Sequence, residues 1–81
     1  MRKMKEKFKD QYRILGCNIR FYRAINNYTL QKLSKKINID ATHLGRIENA
    51  KVGASLDIVF ALADIFEIEP AKLFKDRYVN I

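Results

Sequence analysis

Apolar residues recur at intervals of three and four along most of this chain, in short segments separated by residues that favour turns. The first segment runs from Met4 to Ile25, and its spacing places the apolar side chains in one stripe along a helix. No stretch of useful length alternates apolar and polar residues as a half-buried strand does. The pattern therefore predicts an all-α fold.

Four residues mark the starts of further helices. Thr29, Asp40 and Ser55 are predicted N-caps, because their side-chain oxygens can accept hydrogen bonds from free backbone N–H groups. Pro70 suits the first turn of a short last helix, where its missing N–H is not needed. With the first segment, these signals predict five short helices, numbered here helix 1 to helix 5.

The ends of the predicted helices follow from the same pattern. The pair Asn26 and Asn27 and, further on, Asn38 tolerate the left-handed conformation with which helices commonly end. The apolar spacing is clearest in helix 1 from Leu15 onward. The expected helices cover about 15–25, 29–37, 40–49, 55–66 and 70–74.

With 81 residues, the chain is long enough for one domain and one modest core. We expect a domain at 15–74, flanked by a basic segment at 1–14 and a C-terminal tail at 75–81. The basic segment is expected to extend helix 1, with a flexible arm or a membrane-surface helix as alternatives. Further apolar residues can form a dimer interface or pack back on their own domain: Phe74, Tyr78, Val79 and Ile81 near the C-terminus, and Ile58 and Ile65 outside the apolar stripe of helix 4.

Positive charge is concentrated in the first half of the chain. Residues 1–36 carry a charge of +9 and residues 37–81 a charge of −2, within a net charge of +7. Such a basic half attracts polyanions such as DNA, RNA or an anionic membrane. A solvated face that keeps the protein soluble explains the same charge.

The residue inventory excludes several classes of protein. Cys17 is the only cysteine and His43 the only histidine, so the chain can form neither an intramolecular disulfide nor a zinc cage of cysteine and histidine. Without clustered carboxylates, no nucleophile and base pair is available, and we expect no enzyme activity, cofactor or small-molecule ligand. The longest uncharged apolar stretch, 58–63, is far too short to span a bilayer, so a cytoplasmic protein without a membrane partner is expected.

Helix 3 has a polar side that faces away from the expected core. At 100° per residue, Leu44 and Ile47 share one side, while Thr42, Arg46 and Asn49 cluster on the other, with Gly45 beside them. Helices 2 and 3 are two short helices in close succession, an arrangement in which the second helix can enter the major groove of DNA. The outward side of helix 3 is therefore either a groove-reading face or the solvated side of an amphipathic helix.

The stretch 15–74 resembles the lambda-repressor/Cro-like helix-turn-helix family, also called XRE-type. The residues that carry the resemblance stand at the family's spacing without a gap: Leu15-Gly16, Ile19-Arg20, Arg23, Thr29, Leu33, Ile37, Ile39, Leu44, Arg46-Ile47-Glu48-Asn49, Lys51, Ser55-Leu56, Leu62-Ala63-Asp64, Pro70 and Leu73-Phe74. The resemblance implies a five-helix lambda-repressor-like domain with helices 2 and 3 as its helix-turn-helix.

Some positions depart from the family pattern. Leu30 stands where the family often has a glutamine that contacts a phosphate, and a leucine side chain has no donor for this contact. Asn38, Ala50 and Glu67 stand where glycines are common. Smaller departures are Ser34 and Ala54 in place of an alanine and a proline.

The resemblance also implies roles for individual residues. The positions that face base edges in the family are Ala41, Thr42, Gly45 and Arg46, and those near phosphates are Thr29, Gln31, His43, Asn49 and Lys51. Arg46 can donate two parallel hydrogen bonds to a guanine, while a surface ion pair is the simpler alternative. Lys51 is equally well explained as a solvated loop residue. Arg23 and Glu48 match a family salt bridge that ties helix 1 to the end of helix 3.

Together these observations predict a sequence-specific transcriptional regulator, of repressor or controller type, that inserts helix 3 into the major groove of a near-palindromic operator in double-stranded DNA. A homodimer through helices 4 and 5 and the C-terminal tail is expected. The alternative is an antitoxin or another protein-interaction module that uses the same helix-turn-helix domain.

Overall fold

The computed structural model of the chain describes residues 6–77. Four α-helices follow one another: α1 spans Lys9–Ile25, α2 Leu30–Lys36, α3 Ala41–Glu48 and α4 Leu56–Phe66. Short 3-10 helices at Glu6–Phe8 and Pro70–Phe74 precede and follow them. The described residues contain no strand, so the prediction of an all-α fold is confirmed.

The predicted count of five α-helices is wrong for the described residues, because the fifth is a 3-10 helix of five residues. Its tighter hydrogen bonding is seen where Lys72 N donates to Glu69 O, three residues back, at 3.0 Å. A segment this short gains too few backbone hydrogen bonds to offset the cost of nucleating an α-helix. Residues 1–5 of the basic segment and 78–81 of the tail lie outside the described residues.

Two of the three predicted side-chain caps are confirmed. Thr29 Oγ1 accepts from Lys32 N at 3.1 Å, and Ser55 Oγ accepts from Ile58 N at 3.2 Å. Asp40 has the extended backbone of an N-cap residue, but its carboxylate accepts no capping hydrogen bond. The Asp40 side chain is exposed, so water competes for its oxygens.

All four α-helices end in the same hydrogen-bonded turn, the Schellman motif. In each, a backbone N–H bonds to the carbonyl five residues before it: Tyr28 to Arg23, Ile39 to Ser34, Lys51 to Arg46 and Ile68 to Ala63. The residue before each donor has a positive φ: Asn27 62°, Asn38 59°, Ala50 56° and Glu67 56°. Ala50 and Glu67 hold this left-handed conformation without a local side-chain preference for it.

Replacing Glu67 by glycine is expected to stabilise the domain by about 0.5 to 1 kcal/mol, because the steric penalty of Cβ at positive φ disappears while part of the gain is lost to the freer unfolded chain. Thermal unfolding of purified protein measures the effect. Glu67→Ala is the matched control, since it removes the carboxylate from the negative end of α4 but keeps Cβ. Equal stabilities of the glycine and alanine variants would contradict the prediction.

The core takes at least one completely buried side chain from each of the four α-helices and from the C-terminal 3-10 helix. Ile19 of α1, Leu33 of α2, Leu44 of α3, Leu62 of α4 and Leu73 of the C-terminal 3-10 helix are each 0% exposed. Burial of a side chain of this size contributes roughly 1.5 to 3 kcal/mol. Through Leu44, this core fixes one side of α3 and leaves the opposite side at the surface.

The start of the C-terminal tail packs against α1 through a buried polar residue. Asn18 is 2% exposed, and its Nδ2 donates to Leu73 O at 2.9 Å and to Lys75 O at 2.7 Å. Its Oδ1 accepts from Arg77 Nε at 2.8 Å, and the Arg77 guanidinium lies 3.8 Å from the centre of the Phe21 ring. The amide of Asn18 thus holds the chain that follows the last helix.

Candidate nucleic-acid interface

The outward side of α3 borders two open depressions in the surface. One, of about 560 Å³, is lined by Thr42, Gly45, Arg46, Asn49, Lys51 and Val52. The other, of about 380 Å³, is lined by Asp40, Thr42, His43 and Arg46. Thr42 and Arg46 border both depressions and are exposed, so the structure brings together the polar residues that the helical wheel placed on one side.

Packing within the protein does not require a glycine at position 45 of α3. A Cβ built at this position meets only Leu30 Cδ1, at 3.7 Å, which is an ordinary van der Waals contact. Alanine is favoured over glycine inside a helix by about 1 kcal/mol. Gly45 therefore leaves the surface of α3 between Thr42 and Arg46 without a side chain, and it does so at some cost in helix stability.

The end of α3 is held to α1 by an ion pair between the half-buried Arg23 and the buried Glu48. Arg23 Nε donates to Glu48 Oε2 at 2.6 Å, and Arg23 Nη2 donates to Glu48 Oε1 at 3.1 Å. The side chains of Arg23 and Glu48 are 19% and 2% exposed. Arg23 Nη1 also donates to Tyr28 O at 3.0 Å, which ties the connection between α1 and α2 to the same guanidinium.

A second arginine of α1 reaches the same carboxylate. Arg20 Nε lies 3.6 Å from Glu48 Oε1, and Arg20 Nη2 donates to Asn49 Oδ1. Asn49 Nδ2 in turn donates to Gly45 O at 3.0 Å. Sequence reasoning assigned Arg20 no role, although its position three residues before Arg23 places both on one side of α1 and was a usable signal.

The remaining residues with an expected phosphate role lie around this face in different settings. Thr29 and Gln31 are exposed at the start of α2, where the Thr29 oxygen serves as the cap acceptor. His43 is half-buried in the second depression, and Lys51 is exposed just after α3. Ala41, with an expected base-facing role, is half-buried in the first turn of α3.

Gly16 of α1 makes a close approach to the end of α3. A Cβ at Gly16 would contact Glu48 O and would lie 2.6 Å from Ile47 O. These are backbone atoms, so any larger residue must push the two helices apart. The resemblance included Gly16, but the reason for a glycine there is visible only when α1 and α3 are seen together.

The paired helices α2 and α3, with an exposed polar face on the second, define a helix-turn-helix protein. Among residues 6–77, no helix combines the length and apolarity that crossing a bilayer requires. A family model described as helix-turn-helix matches residues 19–73. The chain belongs to this family, of XRE type, whose members are DNA-binding transcriptional regulators.

Individual relatives agree with this assignment. An uncharacterised HTH-type transcriptional regulator of Methanocaldococcus jannaschii is 30% identical over 56 residues, which make up 69% of this chain and 85% of that protein. The structure of the restriction-modification controller protein C.AhdI from Aeromonas hydrophila matches with a TM-score of 0.75 at 25% identity, over 80% of this chain and 98% of that one. The SOS-response transcriptional repressor LexA from Eubacterium rectale matches with a TM-score of 0.80 at 26% identity, over 100% of this chain and 81% of that one.

Proposed function

We propose that this protein is a sequence-specific transcriptional regulator, of repressor or controller type, that acts in the cytoplasm by inserting α3 into the major groove of an operator. The observation that carries the proposal is the face formed by the exposed Thr42 and Arg46 and the half-buried Gly45, on a helix whose other side is anchored in the core. A major groove about 12 Å wide admits an α-helix. The net charge of +7 favours approach to the DNA backbone.

Four residues of α3 face the base edges in this proposal. Arg46 donates two parallel hydrogen bonds to O6 and N7 of a guanine, and Thr42 donates to a base or contacts a thymine methyl group. Ala41 contacts a thymine methyl group, and Gly45 lets the helix approach the base edges closely. The phosphate contacts are assigned to Thr29, Gln31, His43, Asn49 and Lys51, which fix the position of the protein on the duplex.

A homodimer is proposed through α4, the C-terminal 3-10 helix and the C-terminal tail. The support is a set of large apolar side chains that remain at the surface: Leu56 is 63% exposed, Phe60 53% and Phe74 52%. Apolar groups of this size are stabilised when a second copy covers them. Two recognition helices related by twofold symmetry then meet half-sites about 34 Å apart.

Selection of bound sequences from random duplex DNA tests the proposal as a whole. We expect an enriched inverted repeat whose half-sites are centred about 10 base pairs apart. Enrichment of a single, unrepeated motif would contradict the dimer but would still support base recognition by α3. Equal affinity for selected and random duplexes at physiological salt would refute sequence-specific binding.

Replacing Arg46 by alanine is expected to remove about 1 to 3 kcal/mol of discrimination at one guanine of each half-site. The measurement is the affinity for operator variants at fixed salt, together with the thermal midpoint, which is expected to change little because Arg46 is exposed. Lys51→Ala is the matched control, since it also removes one exposed cation from this face. It should weaken binding to all sequences alike and reduce the salt slope by about one unit. An Arg46→Ala protein with an unaltered ranking of operators would exclude Arg46 from base reading.

Replacing Gly45 by alanine is expected to stabilise the free protein by about 0.5 to 1 kcal/mol, since Cβ has room and alanine is the better helix former. The same change is expected to weaken operator binding, because Cβ stands between α3 and the base edges. Thermal unfolding and operator titration of one sample separate the two effects. A variant that is more stable and binds the operator as well as the native protein would show that α3 does not approach DNA closely at this residue.

A further inference from the structure

We infer that Arg20 of α1 is a further DNA phosphate-binding residue, and that Asn49 acts as a positioning residue for Arg20 rather than as an independent phosphate contact. The inference rests on the proposed function, because it assigns a partner for Arg20 in the same DNA complex. It also replaces the phosphate contact that the proposed function assigns to Asn49 by a positioning role.

The charges at the end of α3 do not cancel. Arg23 and Arg20 share one carboxylate, that of Glu48, so the three side chains keep one net positive charge. Arg23 takes both oxygens of this carboxylate at 2.6 and 3.1 Å and is 19% exposed. Arg20 stands 3.6 Å from the nearer oxygen and is 52% exposed. The uncompensated charge therefore lies on Arg20, the guanidinium that solvent and a DNA backbone can reach.

Asn49 is already committed within the protein. Its Oδ1 accepts from Arg20 Nη2, and its Nδ2 donates to Gly45 O at 3.0 Å. An asparagine amide has two N–H donors, and a phosphate oxygen can only accept, so one donor of Asn49 remains for DNA. Because Asn49 Oδ1 is bonded to Arg20 and Nδ2 to Gly45, the main effect of the amide is to fix the direction of the Arg20 side chain.

The Arg20 guanidinium keeps donors available at this position. It has five N–H groups, and the described contacts use its Nη2 toward Asn49 and place its Nε near Glu48. Its Nη1 group makes no hydrogen bond to the described residues. Asn49 lines the depression beside α3, so its hydrogen bond places Arg20 at the edge of the proposed DNA-binding face. Two N–H groups of Nη1 and one of Nη2 therefore remain, and a guanidinium with donors on both nitrogens suits a phosphate, whose oxygens it can bind in pairs.

Salt-dependent titration of the full chain tests the assignment of Arg20. Binding of native protein, Arg20→Gln and Arg20→Lys to the selected operator is measured between 50 and 200 mM salt. We expect Arg20→Gln to reduce the slope of log affinity against log salt by about 0.9, so the affinity ratio to native protein changes about threefold across this range. Arg20→Lys keeps the charge and is expected to keep the slope. An unchanged slope for Arg20→Gln overturns the inference.

Arg13→Gln provides the matched control for net charge. Arg13 is also an exposed arginine of α1, with an acidic partner, Asp10, at 3.6 Å, but it lies about two turns away from the Asn49 contact. We expect its substitution to leave the salt slope unchanged. Equal losses of slope in the Arg13 and Arg20 variants would show a general effect of charge and would overturn a contact at Arg20.

A double-mutant cycle tests the positioning role of Asn49. Asn49→Ala is expected to weaken operator binding in the native background and to have no further effect in the Arg20→Gln background, because its action passes through Arg20. The same loss in both backgrounds would show an independent contact and overturn this role.

The two proposals can fail separately. If native protein binds random and selected duplexes equally, sequence-specific recognition is refuted, but the role of Arg20 is not, because the salt slopes of the Arg20 variants can still be compared on random DNA. Native protein that binds no DNA overturns both proposals.

Discussion

Replacement of Glu48 by alanine is expected to destabilise the domain by about 3 to 5 kcal/mol, which is a large part of the 5 to 15 kcal/mol typical of folded domains. The physical reason is the charge left behind. Arg23 is 19% exposed and loses both carboxylate hydrogen bonds, while its remaining hydrogen bond goes to the carbonyl of Tyr28. Chemical denaturation of the purified protein measures the loss.

An exposed ion pair within α1, the helix that carries Arg23, is the control. Arg13 and Asp10 lie 3.6 Å apart with side chains 58% and 84% exposed, so Asp10→Ala is expected to change stability by about 0.5 kcal/mol or less. In the buried pair, the double variant Arg23→Ala with Glu48→Ala should lose less than the sum of the single variants, because neither charge is then left unpaired. Additive losses would show that Arg23 and Glu48 stabilise the fold independently.

Replacement of Gly16 by alanine is expected to destabilise the domain by about 3 kcal/mol or more, at the upper end of what overpacking costs. The added Cβ would contact Glu48 O and would lie 2.6 Å from Ile47 O. Both oxygens belong to the backbone of α3, so relief requires α1 and α3 to separate, which also disturbs the Arg23–Glu48 pair. Thermal unfolding checks the loss, and operator titration checks the accompanying shift of α3.

Gly45→Ala is the matched control for Gly16→Ala, since both changes add one methyl group to a glycine within an α-helix. At Gly45 the new Cβ meets only the end of the Leu30 side chain at 3.7 Å. The two variants should therefore change stability in opposite directions. A Gly16→Ala protein as stable as the native one would show that α1 and α3 can move apart without loss of packing.

The candidate site has one part that the sequence predicts and one part that it does not. The spacing of Leu44 and Ile47 against Thr42 and Arg46 is enough to place the polar face of α3 outward, because a helix that buries one stripe must expose the other. Family resemblance supplies the roles expected of single residues on that face. The resemblance includes Arg20, but neither source gives it a role, because its place beside Asn49 depends on how α1 crosses the end of α3.

The amino-acid sequence by itself determined where α1 to α4 lie and that they pack into one all-helical domain. Apolar periodicity, the caps at Thr29 and Ser55, and the turns at Asn27 and Asn38 are local properties, read within a few residues. Tertiary structure alone decided the burial of Asn18, whose partners Leu73 and Lys75 lie 55 and 57 residues away, and the need for glycine at Gly16. It also decided that Arg20, and not Arg23, keeps its charge at the surface. Such contacts join residues distant in the chain, and no local pattern encodes their geometry.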